Sequence, residues 1–177
     1  MEKKSELMTT AYWVGHGVVI VATIIGVYLA ASVGFKKAVD LEILRADRGT
    51  YYVATSLLME TENNMEQFQG YIDEAAKHRL VYNEHIEGVK LNDFIFQAAK
   101  YSDSTFEMDP EVLNTISQYY VNTGSVIEAY NNKVIGPAKV VATLKAENKK
   151  MEDGGLEAFK THVEDMKKAL KKKGLKL

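Results

Sequence analysis

Residues Val14–Phe35 read VGHGVVIVATIIGVYLAASVGF, and His16 is the only ionisable side chain among them apart from Tyr28. About 20 apolar residues in a helix, rising 1.5 Å each, cover the roughly 30 Å hydrocarbon core of a bilayer. No other stretch of the chain has this character. The run is longer than the apolar stretch of about 7–15 residues in a secretory leader, although Ala30-Ala31-Ser32 has the small residues of a cleavage site. The expectation is therefore one transmembrane helix over residues 14–35, preceded by a short tail over residues 1–13 and making contact with membrane lipid.

The rest of the chain is long enough to bury a core without covalent staples. It has no cysteine, which excludes disulfides, thiolate metal sites and cysteine nucleophiles. The charge is unevenly placed. The whole chain has 22 basic and 24 acidic side chains, but its last eleven residues, KKALKKKGLKL, hold six lysines and no acid. An acidic body over residues 36–166 thus ends in a lysine-rich tail over residues 167–177. A nucleic-acid binder would spread basic charge over a face of the domain, so no nucleic acid is expected as a partner.

The apolar positions outside the membrane run recur at steps of three and four, the period of a helix. Leu44, Tyr51, Ala54, Leu58, Thr61, Met65, Phe68, Ile72 and Ala75 form a heptad-like seam that carries the first helix onward, with Asp47 in one slot and Gly49 as a weak point. A second helix is predicted over Glu84–Tyr101, with Leu91, Phe94, Ile95 and Ala98 facing inward. Asp109-Pro110 starts a third, since Asp caps a helix and Pro suits its first position. Its seam is Leu113, Ile116, Tyr120, Thr123, Ile127, Tyr130 and Val134. Gly136-Pro137 opens a fourth helix, with Val141 and Leu144 inward. After Gly154-Gly155 comes a fifth, with Leu156, Phe159, Val163, Met166 and Leu170 on one side and lysines on the other. The fold class is all-α: an N-terminal transmembrane helix extended into a long helix, with an antiparallel helical bundle domain. Beyond its first half, the last helix is expected to fray into a free KKKGLKL end.

Within the membrane run, Ala22, Gly26, Ala30 and Gly34 are spaced by four. Small residues on one face let a second helix approach closely, which predicts packing against a membrane protein partner or another copy of the chain. His16 stands beside Tyr12 and Trp13 and reads as an interfacial residue in an aromatic belt. The flanking basic residues are nearly balanced, with Lys3 and Lys4 on one side and Lys36, Lys37, Arg45 and Arg48 on the other. That count slightly favours a cytoplasmic domain, but the N-terminal position of the anchor and the domain's Tyr- and Asn-rich composition lead to the expectation of a periplasmic or extracellular domain.

Catalytic signatures are missing. A di-metal carboxylate bundle needs Glu-x-x-His on two helices, and there is none. Asp73, Glu74, His78, Glu84, His85 and Glu87 match no metal pattern and read as a solvated helix end. There is no phosphate-binding glycine loop and no Gly-x-Ser-x-Gly elbow. Glu60, Glu62 and Glu66 read as a solvated acidic face, and His162 as a residue at the edge of the core. Neither a catalytic role nor a cofactor or metal is expected. Tyr51, Tyr52, Tyr119 and Tyr120 place paired tyrosines on two helices, where they fill the core or line a partner or ligand contact. The plan resembles the extracytoplasmic half of bacterial receptors, which return through a second membrane helix to a signalling domain. Because this chain stops first, the expectation is a single-pass accessory or structural subunit. The alternative is a ligand-binding sensor module that signals through a partner.

Overall fold

A computed structural model describes residues 10–77 and 89–175, and no strand occurs among them. The chain divides into two units, residues 1–44 and 45–177. Helix α1 spans Thr10–Lys77.

In the first unit, α1 is apolar around most of its circumference over residues 14–35. Its side chains from Tyr12 to Ile43 are exposed, and it has a stretch long and apolar enough to cross a membrane. The two aliphatic hydroxyls within that stretch turn back on the helix, Thr23 Oγ1 donating to the Val19 carbonyl at 2.8 Å and Ser32 Oγ to the Leu29 carbonyl at 3.0 Å. These two hydroxyls are thus satisfied inside the helix, as a hydrocarbon solvent requires. The Tyr12 ring lies 4.2 Å from the ring of His16.

The second unit is a helical bundle. It comprises the end of α1, a short α2 (Phe94–Ala99), a 3-10 turn (Asp103–Glu107), α3 (Pro110–Asn131), α4 (Pro137–Lys150), a wide turn (Met151–Gly155) and α5 (Leu156–Lys172). Cross-chain contacts set the directions. Asn64 meets Asn92, Glu60 meets Ile95 and Phe96, and a Cβ on Gly49 would touch Ser104, so residues 89–107 run antiparallel to α1. Tyr120 lies beside Thr61 and Tyr130 beside Tyr71, so α3 runs parallel to α1. Lys160 meets Glu62 and Lys173 meets Asp47, so α5 runs back down. We call the end holding Arg45–Thr50 proximal. Gly49 does not interrupt α1, and its missing side chain admits the 103–107 turn.

Local chemistry explains most of the helix ends. The Asp109 carboxylate accepts from the Glu111 and Val112 amides at 2.9 and 3.1 Å, and Pro110 takes the first turn. Gly154, at φ +147°, separates α4 from α5. Helix α3 ends in a Schellman turn, with Val134 N–H bonded to the Ala129 carbonyl and Lys133 in the left-handed region at φ +59°. That turn rotates Val134 off the helix face. It is 75% exposed, so the predicted seam ends at Tyr130.

The core gathers Ala54, Leu57, Phe68, Ile116, Tyr119, Val140, Leu144, Met151 and Phe159. The stripe on α1 is wider than the predicted seam. Leu57 is fully buried and Leu58 only partly, and Glu60, Asn64 and Tyr71 join the buried face. A helix packed on several sides buries more than a heptad seam.

The lysine-rich end is ordered through Leu175, contrary to the expected fraying. Leu170 is buried. Leu175 N–H bonds to the Leu170 carbonyl and Gly174 N–H to that of Lys171, with Gly174 at φ +88°. These bonds make a Schellman cap, and Lys176 and Leu177 lie outside the described residues. Burying Leu170 contributes roughly 1.5–3 kcal/mol, more than the exposed Lys173–Asp47 pair, worth about 0–1 kcal/mol.

Because Ile116 is fully buried, Ile116→Ala should lower the unfolding free energy by about 2–5 kcal/mol. Urea denaturation of the detergent-solubilised chain measures it, and a loss below about 1 kcal/mol would mean that this face of α3 is not core.

Candidate functional site

Polar side chains interrupt the apolar stripe of α1 at Glu60, Thr61 and Asn64, and all three are buried. An unpaired carboxylate in such a place costs several kcal/mol. Glu60 avoids that cost. Its Oε2 accepts from the Ile95 amide at 2.7 Å, and its Oε1 accepts from the Phe96 amide at 3.0 Å and from the Tyr120 hydroxyl at 2.9 Å. The two amides belong to the first turn of α2, which has no side-chain cap of its own. A carboxylate on another helix therefore does the capping. Glu60 does not belong to a solvated acidic face; Glu62 pairs with Lys160 at 2.8 Å, and Glu66 is exposed.

Asn64 extends the same clasp. Its Nδ2 donates to the Asn92 carbonyl at 2.6 Å, and its Oδ1 accepts from the Asn92 amide at 2.9 Å. The Tyr120 hydroxyl lies 3.3 Å from Thr61 Oγ1, and its ring stacks on Phe96 with centroids 4.2 Å apart. A second clasp joins α3, α4 and α1. Tyr119 donates to Asn148 Oδ1 at 3.2 Å, and Asn148 Nδ2 donates to the Met65 carbonyl at 2.9 Å.

The clasp sets the rotation of α2. Capping by Glu60 turns Phe96 and Ala99 into the core. Phe94, Ala98 and Tyr101 then face outward, with Phe94 75% and Tyr101 89% exposed. This corrects the predicted second helix: residues 89–93 are not helical, Phe94 and Ala98 do not face inward, and residues 84–88 lie outside the described residues. On α1, Tyr52 and Met59 are also exposed. A shallow depression of about 360 Å³ lies between the two helices, lined by Tyr52, Val53, Ser56, Ile95 and Ala98.

The predicted site residues thus separate. Tyr119 and Tyr120 are core residues, Tyr51 packs partly against the core, and Tyr52 is at the surface. Ala22, Gly26, Ala30 and Gly34 are exposed on α1, and a Cβ on Gly26 or Gly34 would meet nothing within 4 Å. Asp73 and Glu74 are exposed, while His78, Glu84, His85 and Glu87 lie outside the described residues. Among the described residues no three acidic or histidine side chains are grouped to hold a metal ion. His162 is half-buried, its Nε2 3.5 Å from the Asp109 amide. Asn64 and Asn148 were not singled out from the sequence, and Glu60 was read there as a solvated residue. The signal was present: each lies three or four residues from a core apolar residue on its own helix, Phe68, Leu144 and Leu57 respectively.

Comparison with models of known families, with curated proteins and with solved structures finds no match.

Removing the Glu60 carboxylate leaves buried donors unsatisfied, at about 1–3 kcal/mol each. Glu60→Ala should therefore destabilise the domain by at least about 2 kcal/mol in urea denaturation, and hydrogen exchange at Ile95 and Phe96 should accelerate most. Protection of these amides equal to wild type would sink the capping role.

The tyrosines also give a pH dependence. Burial, and then the neighbouring Tyr120 and Glu147, raise the Tyr119 phenol above its ordinary value. Burial also raises Tyr120, with Glu60 adding to the shift and the Thr61 hydrogen bond opposing it. In the unfolded chain these phenols ionise near pH 10, but in the fold they stay neutral. Their contribution is complete below that pH and is lost as pH rises above it, by about 1.4 kcal/mol per phenol per pH unit. Urea midpoints should fall between pH 9 and pH 11, roughly the window where free tyrosine titrates. Tyr119→Phe should flatten the decline, and an unchanged slope in that variant would remove Tyr119 from the account.

Proposed function

We propose that the chain is a single-pass membrane-anchored accessory or structural subunit whose helical domain binds a partner protein in a membrane complex. One observation carries the reading: the paired tyrosines of α3 are engaged in a hydrogen-bonded core, while the large apolar side chains of Tyr52, Met59, Phe94 and Tyr101 are each left to solvent. Exposed aromatic side chains around a shallow depression suit a protein contact. The satisfied clasps beneath them offer stiffness instead of reactivity, which supports a non-catalytic role. The apolar circumference of α1 over residues 14–35 supports insertion in lipid. The small-residue spacing of Ala22, Gly26, Ala30 and Gly34 supports a helix partner there, either a membrane protein or a second copy. The N-terminal anchor supports a domain on the extracytoplasmic side.

A second reading, a sensor module that signals through a partner, draws on a different observation. An open groove of about 760 Å³ lies between residues 90–100 and α3, and Lys90, Asp93, Gln97, Lys100 and Glu128 give it a polar lining.

Crosslinking with mass spectrometry on intact membranes tests the proposal. Crosslinks from Lys100 to one partner are expected, and Phe94→Ser with Tyr101→Ser should abolish them while leaving the fold intact. Gly26→Leu with Ala30→Leu should weaken association through the membrane helix. In the same cells a cysteine at Asn131 should react with an impermeant thiol reagent before lysis. Crosslinks indifferent to Phe94 and Tyr101 but lost on Glu128→Lys would move the reading to the polar groove. Labelling of Asn131→Cys only after lysis would reverse the orientation.

A further inference from the structure

Two exposed helix faces within the bundle unit carry opposite charge. On α4, Ala138, Ala142, Lys145 and Lys149 recur at steps of four, three and four, with Lys139 and Ala146 beside them, and all six are exposed. Residues at such steps share one face of a helix. That face is alanine and lysine without an acid. On the part of α1 past Met65, Glu66, Gly70, Asp73 and Lys77 recur at the same steps, with Glu74 beside them, and all five are exposed. This second face holds three acids against one lysine. At its centre a Cβ on Gly70 would meet nothing within 4 Å.

The two faces belong to neighbouring helices. Asn148 Nδ2 donates to the Met65 carbonyl, which sets that edge of α4 against α1. One step around each helix from this contact come Lys145 and Lys149 on α4 and Glu66 on α1. The other acids near in sequence or on the packed helices do not neutralise the lysines. Glu147 is buried and pairs with Lys150, Glu62 pairs with Lys160, and Glu128, Glu152 and Asp153 are exposed. Asp73 accepts from the neutral side-chain amide of Gln69, which leaves its charge uncompensated. Among the described residues no ion pair joins Lys139, Lys145 or Lys149 to an acid, or Glu66, Asp73 or Glu74 to a base. On α5, by contrast, Lys160, Lys167, Lys168 and the following Lys173 are all paired.

An acidic stripe beside a lysine stripe is complementary to itself. A two-fold axis between two copies sets each stripe of one on the opposite stripe of the other, whereas a surface of one sign would repel its own copy. Gly70, Ala142 and Ala146 leave room for the facing helices to approach. Neither face exposes a large apolar side chain, which an amphipathic helix needs in order to lie in a bilayer interface. We propose that two copies of the chain pair through these faces, the lysines of α4 on one copy meeting Glu66, Asp73 and Glu74 of α1 on the other. None of these residues belongs to the surface assigned above to a partner protein, and the pairing does not depend on residues 14–35. Exposed ion pairs contribute at most about fivefold each to an association constant, so the dimer is weak and salt-sensitive.

Zero-length crosslinking tests the pairing. The full chain in detergent, with empty micelles in excess, is mixed from equal parts of unlabelled and nitrogen-15-labelled protein. A carbodiimide then condenses a carboxylate with a lysine amine in direct contact, taking up the water itself as a urea. Gly26→Leu with Ala30→Leu is present in every sample, so that packing of the membrane helices does not contribute. Crosslinked peptides of mixed isotope, joining Lys145 or Lys149 to Glu66 or Asp73, are expected. Their yield should fall by more than about tenfold in Lys145→Glu with Lys149→Glu, because like charges then face each other. It should recover when Glu66→Lys and Asp73→Lys are added, and fall in about 1 M salt, where the Debye length is near 3 Å. Lys145→Gln with Lys149→Gln, which removes attraction without adding repulsion, should also lower it, with far-UV circular dichroism and urea midpoint equal to wild type. Crosslinks confined to one isotope mean that the stripes meet within a single chain, and they overturn the proposal. Mixed-isotope crosslinks at other residues, or a charge reversal that the opposite reversal does not rescue, overturn it as well. Phe94 and Tyr101 are unaltered throughout, so failure here leaves the partner-protein reading to its own test.

Discussion

A carboxylate inside a helical bundle is tolerated only where donors surround it, and Glu60 sits in such a place. The free amides at the start of α2 and the Tyr120 hydroxyl converge on its two oxygens. The need is mutual. The first turn of any helix has amides without intrahelical partners, and α2 has no capping side chain of its own. At six residues, α2 is too short to persist on helical propensity alone. It forms because α1 supplies its cap and α3 supplies the aromatic surface against which Phe96 stacks.

The surface follows from this bond. Fixing the Ile95 and Phe96 amides fixes the azimuth of α2, and with it which apolar side chains are buried. Phe96 and Ala99 go in, and Phe94 and Tyr101 stay out. The exposed aromatic patch is thus not a failure of packing but the other face of a helix whose inner face is pinned. The Tyr119–Asn148–Met65 clasp does comparable work for α4, tying it to α1 through a backbone carbonyl. Buried polar contacts of this kind add modest net stability but discriminate strongly between packings, since a wrong register leaves donors and acceptors unpaired.

At the proximal end a different balance holds. The Lys173–Asp47 pair is half-exposed and adds little; the position of the lysine tip depends on the burial of Leu170 and on the left-handed glycine that caps the helix behind it. An apolar anchor thereby orients a charged surface. The lysines beyond it are held by packing rather than by attraction to the acidic bundle.

Much was legible in the sequence because its causes are local. Twenty-odd apolar residues need no tertiary context to read as long and apolar enough for a bilayer, and the all-α class follows from the period of the remaining stripes. The starts at Pro110 and Pro137 and the break at Gly154 follow from ring closure, capping and the missing Cβ. Other features belong to the tertiary structure alone. Period gives the presence of a stripe but not its centre or width, so the seam of α1 was read through Leu58 while the packed helix centres on Leu57, bringing Glu60 and Asn64 inside. The rotation of α2 was misread because its cap lies some 35 residues earlier in the chain. The lysine end was read as free because the groups that order it, the core around Leu170 and Asp47 on α1, are supplied by a helix far away in sequence. Local rules act over one turn, whereas a buried charge or a capped end is decided by whichever partner the fold brings within 3 Å, about the length of a hydrogen bond.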